Sequence, residues 1–267
     1  MSESSDRFRQ LHESGCFVIP NPWDIGSAKL LAHLGFKALA TTSSGFAWSQ
    51  GHRDNQVALE GVLAHYREIA SSVDVPINAD FEGGFAVEPE DVAANVGKAV
   101  QTGIAGLSIE DSTHDQQKPL FDFNLAVERM RAAREAIDRS GTGVLLVGRS
   151  EGFIAGRPDL AETIRRLRAY SDAGAECLYA PGLKKMTDIK AVVDAVAPKP
   201  VNVLVSTSFT TLEEMAGLGV RRISVGGALA RAAWGGFLIA AREIAEKGTF
   251  TALDRAAPGV EINGYFS

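Results

Sequence analysis

An α/β barrel of eight strand–helix units, the (β/α)8 or TIM-type architecture, is the fold that this sequence predicts. Three observations carry the prediction. Short apolar runs alternate with longer amphipathic stretches along 267 residues, as strands interleaved with helices do. A helix end, a glycine and a strand recur as "LGFKALA", "TGIAGLSI", "AGAECLYA" and "LGVRRISV", placing Gly35, Gly103, Gly174 and Gly219 before every second strand. No G-x-G-x-x-G turn follows the first strand, so the rival doubly wound sheet lacks its dinucleotide signature. The length matches the ~250 residues of a typical barrel, here taken as one domain over 1–267 with a C-terminal helical extension.

The elements follow in order. The first strand is "CFVIP" (16–20), and the amphipathic "IGSAKLLAHLG" follows it behind Asp24, a residue suited to capping a helix. The second strand is "ALATTS" (38–43), followed by the helix "ALEGVLAHYREIASSV". The third is "PINADF" (76–81), and "EPEDVAANVGKAVQTG" then starts with Glu-Pro, a favoured helix opening. The fourth and fifth are "GLSIED" (106–111) and "GVLLVGR" (143–149). Helix "DLAETIRRLRAYSDAG" leads to the sixth, "CLYA" (177–180), and "MTDIKAVVDAVA" to the seventh, "VNVLVS" (201–206). The eighth is "RISVGG" (222–227). The repeated glycines answer a physical need, a left-handed cap where each helix ends. The tail "TALDRAAPGVEINGYFS" is the least regular stretch and is expected to pack on the barrel or on a neighbouring subunit.

Composition narrows the function. A net charge of −6 argues against nucleic acid as a partner. Cys16 and Cys177 are the only cysteines and show no zinc or C-x-x-C spacing, so a reducing compartment without disulfides is expected. The start "MSESSDRFRQ" lacks the apolar core of a signal peptide, and no apolar run approaches the ~20 residues that span a membrane. A cytoplasmic location is therefore expected.

In barrels of this type, chemistry gathers at the C-terminal ends of the strands. There the second strand ends in "TTSSG" (41–45), and the loop after it, with "GHRD", supplies Asp54; the third ends in Asp80 and Glu82, the fourth in Glu110 and Asp111, and the fifth in Arg149 and Glu151. Period-two alternation places Asp80 and Glu82 on one face. Each piece alone has a plain structural reading: a solvated strand end, a helix cap, an ion pair. Together they predict a carboxylate-rich mouth, where mutual repulsion calls for a hard divalent cation. With no His or Cys in the set, Mg2+, or alternatively Mn2+, is favoured over zinc. Gly83 and Gly84 are read as letting the backbone approach a ligand closely. "SSG" offers hydroxyl and N–H donors to an oxyanion. His52 and His114 fall in mouth-side loops and could move protons. Tyr179 is a candidate acid, His33 and His65 are read as packing or surface residues, and His12 carries no signal.

The segments "NPWDIGSAKLLAHLGFKALATTSSGFAWSQGHRD", "INADFEGGFA", "GLSIEDS", "VGRSEGF" and "AGAECLYAPG", in this order, resemble the isocitrate lyase/phosphoenolpyruvate mutase superfamily. The resemblance implies a barrel that binds Mg2+ and a 2-oxo acid and makes or breaks a C–C or P–C bond through a pyruvate-type enolate. It implies Asp80 as direct metal ligand, with Asp54, Glu82 and Glu110 acting through water. It implies Ser44, Gly45 and Phe46 as the grip on the substrate carboxylate, and Arg149 on the substrate oxygens. It also implies a homotetramer with a C-terminal helix exchanged between paired subunits, for which "ALARAAWGGFLIAAREIAEKG" (228–248) is the candidate. Departures stand beside it. The loop "EDSTHDQQKPLFDF" lacks the K-K-C-G-H of the lyases and is shorter than the mutase gate; Pro181 stands where a polar residue is usual, and Glu82 where aspartate is commoner. The expectation is a Mg2+-dependent lyase cleaving or decarboxylating a small 2-oxo or 2-hydroxy carboxylate, with His114 or Tyr179 supplying the proton. The alternatives are a P–C mutase or hydrolase acting on phosphonopyruvate, and a silent oxo-acid-binding relative.

Overall fold

The computed structural model describes residues 2–266. Eight parallel strands appear where the apolar runs place them: β1 (Phe17–Ile19), β2 (Leu39–Ala40), β3 (Ile77–Asp80), β4 (Gly106–Glu110), β5 (Leu145–Arg149), β6 (Cys177–Tyr179), β7 (Val201–Leu204) and β8 (Arg222–Ser224). They pair in the ring order β1-β8-β7-β6-β5-β4-β3-β2. The gap between β1 and β2 is bridged where the Ala40 N–H donates to the Pro20 carbonyl at 3.0 Å, so the barrel is nearly closed.

Helices fill the returns: α1 (Glu3–Leu11), α2 (Ile25–His33), α3 (Ser43–Ser49), α4 (Leu59–Ser72), α5 (Pro89–Ala99), α6 (Phe123–Ser140), α7 (Leu160–Asp172), α8 (Met186–Val196), α9 (Leu212–Gly217), α10 (Ala228–Lys247) and α11 (Gly259–Gly264). The Asp24 cap is confirmed, since its carboxylate accepts the Ser27 N–H at 2.7 Å. Gly35, Gly103, Gly174 and Gly219 all have φ between +87° and +104°, the left-handed geometry that the repeat implied. The second strand is shorter than expected: Thr42 turns the chain and caps α3, so "SSG" opens a helix rather than ending a strand.

Two apolar cores hold the fold. The larger lies between the strands and the outer helices and includes Leu63, Phe81, Ile109, Leu146 and Tyr170. The smaller fills the barrel's lower interior with Ile19, Ala38, Ala105, Leu145, Val147 and Cys177 around Phe8 of α1. Phe8 is fully buried and acts as a plug. Gly106 makes this possible, because a Cβ there would stand 2.5 Å from the Phe8 ring. Glu176 fixes α1 from below through Arg9 and accepts Arg134 at 2.7 Å.

Candidate active site

Above the Phe8 plug the interior of the barrel turns polar. A cavity of about 150 Å³ inside the barrel is lined by Ser43, Ser44, Asp54, Asp80, Arg149 and Tyr179, among others. A second hollow of about 230 Å³ shares Ser43, Asp54 and Arg149 with the first and adds Glu110, His114 and Glu151. Both open at the C-terminal ends of β3, β4 and β5, where the sequence places the acids.

Arg149 is the centre. Its Nη1 lies 2.5 Å from Asp80 Oδ1 and 3.1 Å from Glu110 Oε2, and its Nη2 3.0 Å from Glu151 Oε1. Its guanidinium stands 5.1 Å from the Tyr179 ring centroid. Strand register explains the convergence, because Glu110, Arg149 and Tyr179 are successive ladder partners across β4, β5 and β6. Asp80 Oδ2 accepts the Ser43 N–H at 3.0 Å, and the Asp80 N–H donates to Thr41 Oγ1 at 2.9 Å.

The acids outnumber the arginine and are shielded from water. Burial, then Asp80 and Asp54, push Glu82 up to about 8. Burial likewise raises Glu151 to about 7, against the pull of Arg149. Glu110 rises well above the carboxylate range for the same reason, and Asp54 rises through burial and Asp80. Burial works against the charged form of Arg149, but Glu151, Glu110 and Asp80 outweigh it and raise its pKa further. Paired carboxylates at one dry mouth with a single cation between them leave unbalanced negative charge.

Several sequence expectations are corrected in detail. Asp80 and Glu82 do not share a strand face: β3 ends at Asp80, and Glu82 takes a left-handed backbone with φ +46°. Their carboxylates still interact, because the turn brings Glu82 back beside Asp80 in the hollow under α3. Gly83 and Gly84 serve packing rather than ligand approach, since a Cβ would meet Arg129 Nη2 at 3.3 Å and Val92 at 3.0 Å, respectively. Ser44 faces the cavity, but Gly45 and Phe46 do not. The Gly45 N–H is aimed at the capping Thr42 hydroxyl, the Phe46 N–H donates to the Thr42 carbonyl, and the Phe46 ring stacks on His65 at 3.8 Å. Asp111 points away from the mouth and accepts Tyr170 Oη at 2.5 Å, Arg166 at 3.1 Å and the Glu151 N–H at 2.8 Å, bracing the neighbouring loop. His52 lies in a surface groove beside Trp48 and Trp234. His114 reaches the mouth, with Nε2 3.4 Å from Glu110, and burial lowers its pKa. Tyr179 is buried, and burial raises it to about 12.

The sequence reading missed the polar side chains deeper in the barrel, namely Asn78, Ser108, Asn202, Arg222 and Ser224. One signal was available for Asn78, Ser108 and Asn202: each is a polar residue two positions before the last residue of an apolar strand, on the inward-facing step. His12 was missed too. It is buried beside Phe8 and Phe17 on the barrel floor.

For a divalent cation, the donors are hard oxygens at a desolvated mouth. Among the described residues, no three His, Cys, Asp or Glu side chains converge into a ready-made ligand cage. A hard cation such as Mg2+ keeps several waters and needs only one or two carboxylates, and Asp80 and Asp54 both line the cavity.

A barrel with acids and an arginine gathered at its open end, above a small polar cavity, has the layout in which barrel enzymes carry their chemistry. A family model described as phosphoenolpyruvate phosphomutase matches residues 8–245. A solved protein from Burkholderia cenocepacia J2315, assigned only provisionally as a lyase/mutase, superposes with a TM-score of 0.95 at 45% identity, covering 98% of this chain and 96% of that one. The 2-methylisocitrate lyase of Escherichia coli K12 is 29% identical over 63% of this chain and 58% of its own. The oxaloacetate decarboxylase of Paraburkholderia xenovorans LB400 is 28% identical over 81% of this chain and 73% of its own. The chain belongs to the phosphoenolpyruvate phosphomutase family, within the isocitrate lyase/phosphoenolpyruvate mutase superfamily of carbon–carbon lyases and mutases.

Proposed function

We propose that this protein is a Mg2+-dependent lyase that cleaves or decarboxylates a small 2-oxo or 2-hydroxy carboxylate through a pyruvate-type enolate. The observation that carries the reading is the Arg149 guanidinium, held by Asp80, Glu110 and Glu151 at a mouth with an excess of buried carboxylates. Asp80 would hold the metal directly, and Asp54, Glu82 and Glu110 through water. Bound there, the cation would supply positive charge to an oxyanion. Arg149 offers preorganised N–H donors to the substrate oxygens, worth most where water is excluded. Ser44 places its hydroxyl at the cavity wall. Tyr179 stays protonated across the working pH range and so can only donate its proton, whereas His114, held neutral, can accept one. The exposed apolar face of α10, with Trp234 and Phe237, fits the contact through which subunits would exchange helices in a homotetramer.

The test is calorimetry with Mg2+ and oxalate, an enolate mimic, followed by a screen of oxo and hydroxy acids for pyruvate release. Tight oxalate binding in Mg2+ with pyruvate release from a C4 acid is the expected result. Phosphate release from phosphonopyruvate without C–C cleavage would move the protein to P–C chemistry, and oxalate binding with no turnover would make it a binding protein.

A further inference from the structure

Arg222, at the start of β8, is 2% exposed and projects into the same cavity that Asp80 and Arg149 line. Its Nε donates to Asn202 Oδ1 at 2.9 Å, and its Nη1 approaches Asn78 Oδ1 and His12 Nε2, each at 3.4 Å. His12 is a neutral partner. Its other nitrogen, Nδ1, lies 2.8 Å from the Phe8 carbonyl and so carries the proton, leaving Nε2 to accept. No carboxylate lies within ion-pair distance of Arg222 among the described residues, and its Nη2 has no hydrogen-bond partner there. An arginine does not shed its charge in a protein, and a buried charge without a counter-ion is costly. Arg149 and Arg166, likewise buried, each have a carboxylate in contact, and Arg129, which has none, turns its N–H groups on the carbonyls of Gly83, Ala86 and Val87; among the described residues Arg222 Nη2 has neither.

We propose that Arg222 is the recognition position for a second, distal carboxylate, which makes the substrate a dicarboxylic acid held end to end between the Asp80–Arg149 mouth and the barrel floor. This rests on the reading of the mouth as an oxo-acid site. The free edge of the guanidinium offers the Nη2 N–H groups to a planar carboxylate. Asn202 fixes the fork by holding Nε, and Ser224, whose hydroxyl accepts the Asn202 amide at 2.9 Å, fixes Asn202 in turn. Arg149 and Arg222 then divide the work: the first meets the end where charge changes, the second selects for length and for a second negative group.

Calorimetry in the presence of Mg2+, with malate against 2-hydroxybutyrate, isolates the distal group, because the two differ only in a carboxylate for a methyl. The wild-type protein is expected to favour malate by roughly 10- to 100-fold, the range of a hydrogen bond to a charged group. Arg222→Gln is expected to abolish that preference and to leave oxalate affinity within about threefold, since oxalate is too short to span both ends. Asn202→Asp would supply an internal counter-ion beside Nε; it is expected to remove the malate preference while raising the melting temperature, and it decides the matter if Arg222→Gln does not fold. No malate preference in the wild type, or one that survives Arg222→Gln or Asn202→Asp, would overturn the proposal. Failure of oxalate to bind, with the Arg222-dependent malate preference intact, would instead count against the reading of the mouth.

Discussion

Glu82 shows how one residue couples backbone, burial and charge. It adopts φ +46°, a conformation that non-glycine residues seldom take, and burial raises its pKa from 4.5 to about 8. Between those values the folded metal-free protein keeps a proton that the unfolded chain has released. Its contribution to stability is therefore present at low pH and is lost as pH rises toward 8. Urea midpoints compared at about pH 5 and about pH 9 should fall with pH in the wild type and fall less in Glu82→Gln, and Mg2+ should offset the loss at the alkaline end. Arg149 makes the contrasting case. Arg149→Lys keeps the charge but loses the planar fork that reaches Asp80, Glu110 and Glu151 together; kcat for the C4-acid reaction should drop by about 10²–10³, measured as pyruvate release. Asp80 and Arg149 were legible in the sequence because a charged residue ending an apolar strand has few other reasons to be there. Gly45 and Phe46 were not, because the turn at Thr42 that starts α3 redirects their N–H groups, and nothing in "TTSSGF" distinguishes a strand end from a helix start. Arg222 was invisible for a different reason: at the first step of a strand, a charged residue looks like a solvated edge until the barrel closes around it.

At the scale of elements, α1 and α10 differ most in how they are covered. α1 contributes Phe8, fully buried with its ring against Gly106. Phe8→Ala should cost about 3–5 kcal/mol of stability, read by chemical denaturation, with a cavity opened under the site. Gly106→Ala should be destabilising as well, because its Cβ would stand 2.5 Å from the ring. α10 is the opposite case. Over its 20 residues only Ala230 is buried, while Phe237 is 61% and Ile239 63% exposed. A helix this apolar and this bare needs a covering surface. On the proposed homotetramer, Phe237→Asp should shift the protein toward monomer in light scattering while leaving its circular dichroism unchanged.

For the whole molecule, all eight strands and the four repeat glycines fall where the sequence places them, because a parallel barrel imposes one local rule eight times and the glycines mark half of them. The interior was harder to read, since which residues meet across a barrel depends on register, and register is not written in any one strand. Ligand linkage probes the assembled whole: Mg2+ with oxalate at about 100 times the dissociation constant should stabilise the fold by about 2.7 kcal/mol, seen as a rise in melting temperature that Asp80→Asn removes. The Phe8 plug carries a kinetic corollary. A vessel sealed at its base has a single doorway, so when one molecule is split into two fragments they must depart in sequence, the one nearer the stopper waiting for the other. Product-inhibition patterns should then be ordered: the late-leaving fragment competes directly with incoming substrate, and the early-leaving one does not.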